Sequence, residues 1–192
     1  MRPLVLASSS PYRRELLERP QLRFVCQSPN IDETPRPGED AASLVKRLAA
    51  AKASALRNQF LQHMIIGSDQ VAVLDGQIIG KPGNQQAAIE QLQAARGRSL
   101  TFYTGLCLLD SASRQAQVDC VPFTVHFREL SDAQIERYVS KEKPYDCAGS
   151  FKSEGLGISL FRATEGEDAT SLVGLPLIRL CDMLNQAGVA VP

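Results

Sequence analysis

The chain is short of soft metal ligands: its 192 residues include only two histidines, His63 and His126, far apart, and no Cys-x-x-Cys. The usual structural zinc frameworks are therefore excluded. Its five cysteines, Cys26, Cys107, Cys120, Cys147 and Cys181, are odd in number and have no close pairing. That pattern fits reduced thiols acting as small buried hydrophobes better than a disulfide framework. Excess charge is missing too, because 21 Lys and Arg balance 21 Asp and Glu. Nothing in the bulk charge advertises nucleic acid or an anionic membrane, so any phosphate-binding charge must be local. No apolar run approaches membrane-spanning length, and the chain enters a short strand without a basic segment and apolar signal core; the expectation is a cytoplasmic protein with no membrane partner. There is no internal repeat, no low-complexity linker, and no GxxxxGK[ST], GxGxxG after a strand, or GxSxG. P-loop, Rossmann and hydrolase-elbow readings lack their anchors. Ser43 to Lys46 spells SxxK, but with no KTG and with GSDQ in place of SDN the match is chance.

What is present is an alternation of short apolar runs with amphipathic helices, at a length suited to a single domain over residues 1–192. Leu4 to Ala7 reads as a strand, Pro11 to Arg19 as a helix with Pro at its first position, and Phe24 to Cys26 as a second strand. PNIDETPRPGED reads as loop. Asp40 caps a helix from about Ala41 to Phe60, a strand spans Met64 to Leu74, and Asp75-Gly76 turns a hairpin whose return strand ends at Gly80. Asn84 caps another helix, and Ser99 to Leu109 and Gln115 to Arg128 read as long meander strands. Ser131 to Gln134 is a capping box, Ile158 to Phe161 a last strand, and Pro176 opens a C-terminal helix. The expected fold class is α/β (α+β), a mixed, partly antiparallel sheet flanked by helices.

Several positions break these local patterns. LVLASSSPYRRELLE runs an apolar strand into three serines, a proline and two arginines at a helix start, where an anion is favoured. In HMIIGSDQVAVL an otherwise buried strand is interrupted by Gly67, Ser68, Asp69 and Gln70. Such a carboxylate is either paired, for instance with a neighbouring loop, or needed; the glycine admits a ligand or another backbone. Leu44, Leu48, Lys52 and Leu56 follow one helical row, so a lysine occupies an apolar stripe, where it can also simply snorkel to the core edge. Glu33 in DETP and Lys81 in GKP, read alone, are ordinary loop charges.

Taken together, ASSSPYRRELL, DETP, the helical Lys52, IIGSDQV, GKP, FYTGL, CAGSFKSEG and LVGLP resemble, in order and spacing across essentially the whole chain, the Maf-like nucleoside triphosphate pyrophosphatases. The resemblance implies an inosine-triphosphatase-like, elongated two-lobed fold with a central cleft, and a homodimer. It also implies hydrolysis of a nucleoside triphosphate to the monophosphate and pyrophosphate with a divalent cation, Mg²⁺ or Mn²⁺. Ser8, Ser9 and Ser10 would offer hydroxyls and N–H groups to phosphate, and Arg13 a planar fork, with Arg14 beside it. Lys52 and Lys81 become further phosphate partners. Glu33 and Asp69 supply oxygen ligands for the cation, Asp69 also being the proton acceptor in the family.

The branch acting on dTTP and UTP typically reads SPRR, GADT and AGAYGIQG. This chain has SPYRR, GSDQ and AGSFKSEG, so Tyr12, Gln70 and Glu154 are the variant positions. That triplet resembles the branch hydrolysing 7-methyl-GTP, whose cationic base a tyrosine ring can stack on and a carboxylate can sense. The other readings are the same chemistry on dTTP, UTP or a modified pyrimidine nucleotide, and a nucleotide-binding regulator of cell division, after the family's link to septum formation.

Overall fold

A computed structural model of the chain describes residues 2–191. It is a mixed α/β structure in which β1 (Leu4–Ala7), α1 (Pro11–Glu18), β2 (Phe24–Cys26), α2 (Ala41–Ala55) and β3 (Met64–Leu74) come first. β4 (Gln77–Ile79), α3 (Gln85–Ala95), β5 (Ser99–Asp110), β6 (Ala116–Phe127) and α4 (Asp132–Glu142) follow. β7 (Phe161–Glu165), α5 (Ala169–Val173) and α6 (Leu177–Gln186) close the chain. Strand order is β2-β1-β3-β5-β6-β7, with β4 pairing β3. β1 is parallel to both β2 and β3, whereas β3 with β4 and β6 with β7 are antiparallel. The mixed, partly antiparallel sheet expected from the hairpin and from strands mixed with helices is what forms.

The chain divides into two compact units. The first comprises Met1–Gln70, Tyr103–Val121 and Asp168–Pro192. One of its cores is built from Leu4, Leu6, Leu16, Leu17, Ile66, Leu106 and the inner face of α6; another joins Val5, Ala7 and Ile65 to Ala49 and Ala53 of α2. Because side chains alternate along a strand, β1 feeds both. The second unit comprises Val71–Phe102 and Pro122–Glu167. Phe151 makes edge-on contacts with Phe102, Phe127 and Phe161 there, at centroid distances of 5.4, 5.8 and 4.7 Å.

Three sequence expectations are corrected. The helix read as running to Phe60 ends at Ala55. Beyond it the amides of Leu56, Arg57 and Gln59 bond carbonyls three residues back, and these tight turns still carry Leu56 and Phe60 onto the Val5–Ala53 core. Apolar spacing alone does not distinguish the two. The strand read at Ile158 to Phe161 is instead a 3-10 turn over Leu156–Leu160, with the strand following at Phe161–Glu165. The Gly155 and Gly157 backbone makes that turn, leaving Ile158 exposed and Leu160 buried. Finally, of the cysteines only Cys107 is fully buried, and Cys26 is exposed on edge strand β2. All five are free thiols, and burial pushes Cys107 and Cys147 up to about 12, so those two stay protonated and unreactive.

Candidate active site

The site grows from one close approach. A side chain at Gly67 on β3 would run into the α2 backbone at Ala49 and Ala53, and one at Gly105 on β5 into the α2 backbone at Val45. Of the two partners open to Gly67, a ligand or another backbone, the backbone is the one found. With small residues on both sides, α2 lies tight against these strands. Its row of buried positions, Leu44, Leu48 and Lys52, then carries the lysine to the strand one step beyond Gly67.

Gly67 and Asp69 share the face of β3 turned to α2. Lys52 Nζ donates to Asp69 Oδ1 at 2.7 Å and also pairs with Glu33 Oε1 at 2.8 Å. The Lys52 and Asp69 side chains keep only 8% and 10% of their exposure, against 58% for Glu33. Lys52 is therefore no snorkelling stem but an ammonium held between two carboxylates, one from the core strand and one from a loop.

That loop is pinned. Arg47, five residues before Lys52 on α2, grips Glu39 with a two-pronged pair, Nε to Oε1 at 2.6 Å and a terminal nitrogen to Oε2 at 2.7 Å. The same nitrogen donates to the Thr34 carbonyl at 3.1 Å, and Glu39 Oε2 accepts from the Arg36 amide. The Arg47 bond, then the Arg36 amide, hold the Glu39 carboxyl down at about 2. Asp32 closes the other end by accepting from the amide and hydroxyl of Thr34. Composition gave no hint of this clamp; Glu39 and Arg47, eight residues apart on either side of a helix start, carry no motif.

On the N-terminal side, Ser8 is buried, and its hydroxyl accepts from the Ser10 amide at 3.1 Å. Ser10 is the N-cap of α1, accepting from the Arg13 amide. Arg13 turns inward: its Nε donates to the Gly174 carbonyl at 2.7 Å. Burial lowers the Arg13 guanidinium from its ordinary value, while the charges of Asp69 and Glu33 oppose that shift, so the arginine lies within their field. Arg14, on the other side of the helix, is exposed and pairs with Glu18 at 3.4 Å. Tyr12 is half-buried on the same helix, and Ser9 is exposed.

The opposite face of β3 has its own network. Ser68 Oγ donates between the carbonyls of Gly105 and Gly174, at 2.8 and 2.9 Å. Gln70 Nε2 donates to Thr104 Oγ1 at 3.0 Å and to the carbonyls of Ser171 and Leu172 at 2.7 and 3.2 Å. All these carbonyls belong to β5 or to the short helix α5 and its cap. α5 is fastened by Asp168, which is buried and accepts from the Thr170 amide and hydroxyl and from the Ile178 amide of α6. The sequence reading missed α5, Thr104 and Asp168; an Asp-x-Thr cap ahead of LVGLP was the signal available.

The remaining expected residues lie in the second unit. Lys81 is exposed in the turn after β4. Glu154 is exposed, accepting from Ser153 Oγ at 3.1 Å, in a loop held by α4: Tyr138 Oη accepts from the Lys152 amide at 3.0 Å and Glu142 Oε2 from the Leu156 amide at 2.9 Å.

Among the described residues no group of three or more His, Cys, Asp or Glu side chains comes together to hold a metal. Two carboxylates do converge, on Lys52. Magnesium is commonly held by one or two carboxylates plus substrate phosphates, so this donor set fits such a cation only together with a nucleotide. No helix among the described residues is long and apolar enough to cross a membrane.

A family model described as "Maf-like protein" matches residues 3–187. The chain is 66% identical over its full 192 residues, and over the full length of the relative, to a Pseudomonas aeruginosa protein named "7-methyl-GTP pyrophosphatase". Proteins of the same name from Pseudomonas syringae pv. tomato and Pseudomonas putida are 65% and 61% identical, again over the whole of both chains. Among solved structures, "The structure of the Staphylococcus aureus Ham1 protein" is similar at TM-score 0.49 and 16% identity, covering 66% of this chain and 72% of that one.

Proposed function

The chain belongs to the Maf-like protein family, and from that premise we propose that it hydrolyses 7-methyl-GTP to 7-methyl-GMP and pyrophosphate by attack of water at the α-phosphorus. The observation that carries the reading is Lys52 held between two carboxylates, the buried Asp69 at 2.7 Å and the more exposed Glu33 at 2.8 Å, in a chain whose full-length relatives bear that enzyme's name.

In this mechanism Asp69 is the base. Its Oδ1 is taken by Lys52, which leaves Oδ2 to accept the proton of the attacking water. Lys52 holds the carboxylate in a fixed orientation and provides positive charge where the pyrophosphate leaves. Ser8, Ser10 and the α1 N-terminus bind phosphate oxygens, as does Arg13, whose Nε is anchored on Gly174 so that the terminal amino groups serve the anion. Arg14 and Lys81 are assigned outer phosphate contacts. Glu33 and Asp69 would hold a Mg²⁺ or Mn²⁺ ion, which when bound supplies further charge stabilisation for the leaving pyrophosphate. Tyr12, Gln70 and Glu154 choose the base: the tyrosine ring stacks on a cationic guanine, an attraction of roughly 0.5–2 kcal/mol, and the Glu154 carboxylate answers its charge and its N–H donors. The chain acts as one nucleotide pyrophosphatase domain, as a homodimer in the cytoplasm.

The test is pyrophosphate release across a panel of 7-methyl-GTP, GTP, dTTP, UTP and CTP with Mg²⁺ or Mn²⁺. The highest kcat/KM is expected for 7-methyl-GTP; a pyrimidine nucleotide ranking first would transfer the assignment to the dTTP and UTP branch.

A further inference from the structure

The side-chain amide of Gln70 has one orientation only. Its nitrogen faces three groups, Thr104 Oγ1 at 3.0 Å and the carbonyls of Ser171 and Leu172 at 2.7 and 3.2 Å. Two of these are carbonyls and can only accept. The third, a hydroxyl, has a single hydrogen, and Thr104 directs it at the Ser171 carbonyl, 2.8 Å away. Thr104 therefore shows Gln70 a lone pair. An amide oxygen turned to this corner would meet three acceptors; the nitrogen meets three partners for its two hydrogens. Thr104 is fully buried, and the carbonyls are held by the Asp168 cap of α5.

We infer that Thr104 is a positioning residue for base recognition: by locking the Gln70 amide nitrogen onto α5, it makes Gln70 present its oxygen, an acceptor and not a donor, to the nucleotide. The ligand feature that matches is a base edge carrying N–H donors, such as N1–H and the 2-amino group of guanine. This rests on the proposed role of Gln70 in choosing the base, and adds the polarity of that choice. Without the lock the amide can rotate, and a rotated amide offers N–H to N–H.

The experiment is a mutant cycle. Thr104→Val keeps the shape and removes the hydroxyl, and it is expected to raise KM for 7-methyl-GTP about tenfold, the effect of one recognition hydrogen bond, while kcat changes little. Thr104→Ser keeps the hydroxyl and is expected to restore KM. Gln70→Met removes the amide, and on that background Thr104→Val is expected to add nothing further to KM, since its action runs through Gln70. An equal KM penalty on both backgrounds, or a wild-type KM in Thr104→Val, would overturn the inference. If the wild type releases no pyrophosphate from 7-methyl-GTP, the proposed function falls but the lock is still readable. The Gln70 side-chain amide protons, identified by NMR from their loss in Gln70→Met, are expected to exchange slowly in the free protein, and rapid exchange would contradict the lock. That measurement on the wild type also stands if Thr104→Val does not fold.

Discussion

Gly67→Ala is the smallest change that separates the close approach of α2 from everything it makes possible. A methyl group at position 67 would sit 3.0 Å from the Ala53 amide nitrogen and 3.1 Å from the Ala49 carbonyl carbon, and closer still to the Ala49 oxygen. All three are backbone atoms, so no rotamer change relieves them and the helix must retreat. Overpacking of this kind costs about 1–3 kcal/mol. At about 2–4 °C per kcal/mol for a chain of this size, Tm should fall by roughly 2–12 °C. The retreat also carries Lys52 away from Asp69, whose 2.7 Å contact has no slack. Misplacing a catalytic group by about 1 Å costs on the order of 10²-fold in rate. Differential scanning fluorimetry gives the first quantity and pyrophosphate release at saturating nucleotide the second. Gly80→Ala is the control, because a methyl group there meets nothing, and it should leave Tm unchanged. A Gly67→Ala protein with wild-type Tm and wild-type turnover would refute the reasoning that α2 packing aligns the lysine.

Lys52→Met keeps the buried stem and deletes the charge. Leaving Asp69 without its partner should cost about 3 kcal/mol or more, and adding Asp69→Asn should recover most of that stability without restoring hydrolysis. Asp69→Asn alone should lose about 10²–10⁴ in kcat. Arg47→Ala should release the Glu33 loop and depress kcat, with a much smaller change in helix content by circular dichroism; unchanged kinetics would show that the clamp does not serve Glu33. The clamp should also survive acid. Glu39 is held below its ordinary value, so its contribution is complete above about 4.5 and lost only as pH falls toward about 2; the Tm deficit of Arg47→Ala should be full above about pH 4.5 and shrink as pH falls toward about 2. Asp168→Ala, which removes the cap of α5 and the acceptor of the Ile178 amide, should lower stability by about 0.5–2 kcal/mol in urea unfolding.

Much of this molecule was legible in its sequence, and the legible parts share a cause. Helix caps at Asp40, Asn84 and Ser131 are local chemistry, and each side chain accepts from the amide three residues on. The strand Met64–Leu74 and its hairpin were local for the same reason. Lys52 and Asp69 stood out because each violated the burial pattern around it, and they are each other's partner. Glu33 had no such signal, since a loop carboxylate looks the same solvated or paired. What was missed depends on contacts distant in sequence. Thr104 is one more small residue in a buried strand until its hydroxyl is seen against Ser171, 67 positions away. Likewise α5 is too short for periodicity to mark and is held by a single buried aspartate. The turns after Ala55 misled because their apolar spacing is that of a helix.

The central claim is that water, activated by Asp69, attacks the α-phosphorus of 7-methyl-GTP. The most direct test runs the reaction in ¹⁸O-labelled water and weighs both products by mass spectrometry. The label is expected in 7-methyl-GMP, with unlabelled pyrophosphate, and the reaction should disappear in Asp69→Asn. Label in the pyrophosphate, or formation of 7-methyl-GDP and inorganic phosphate, would contradict it.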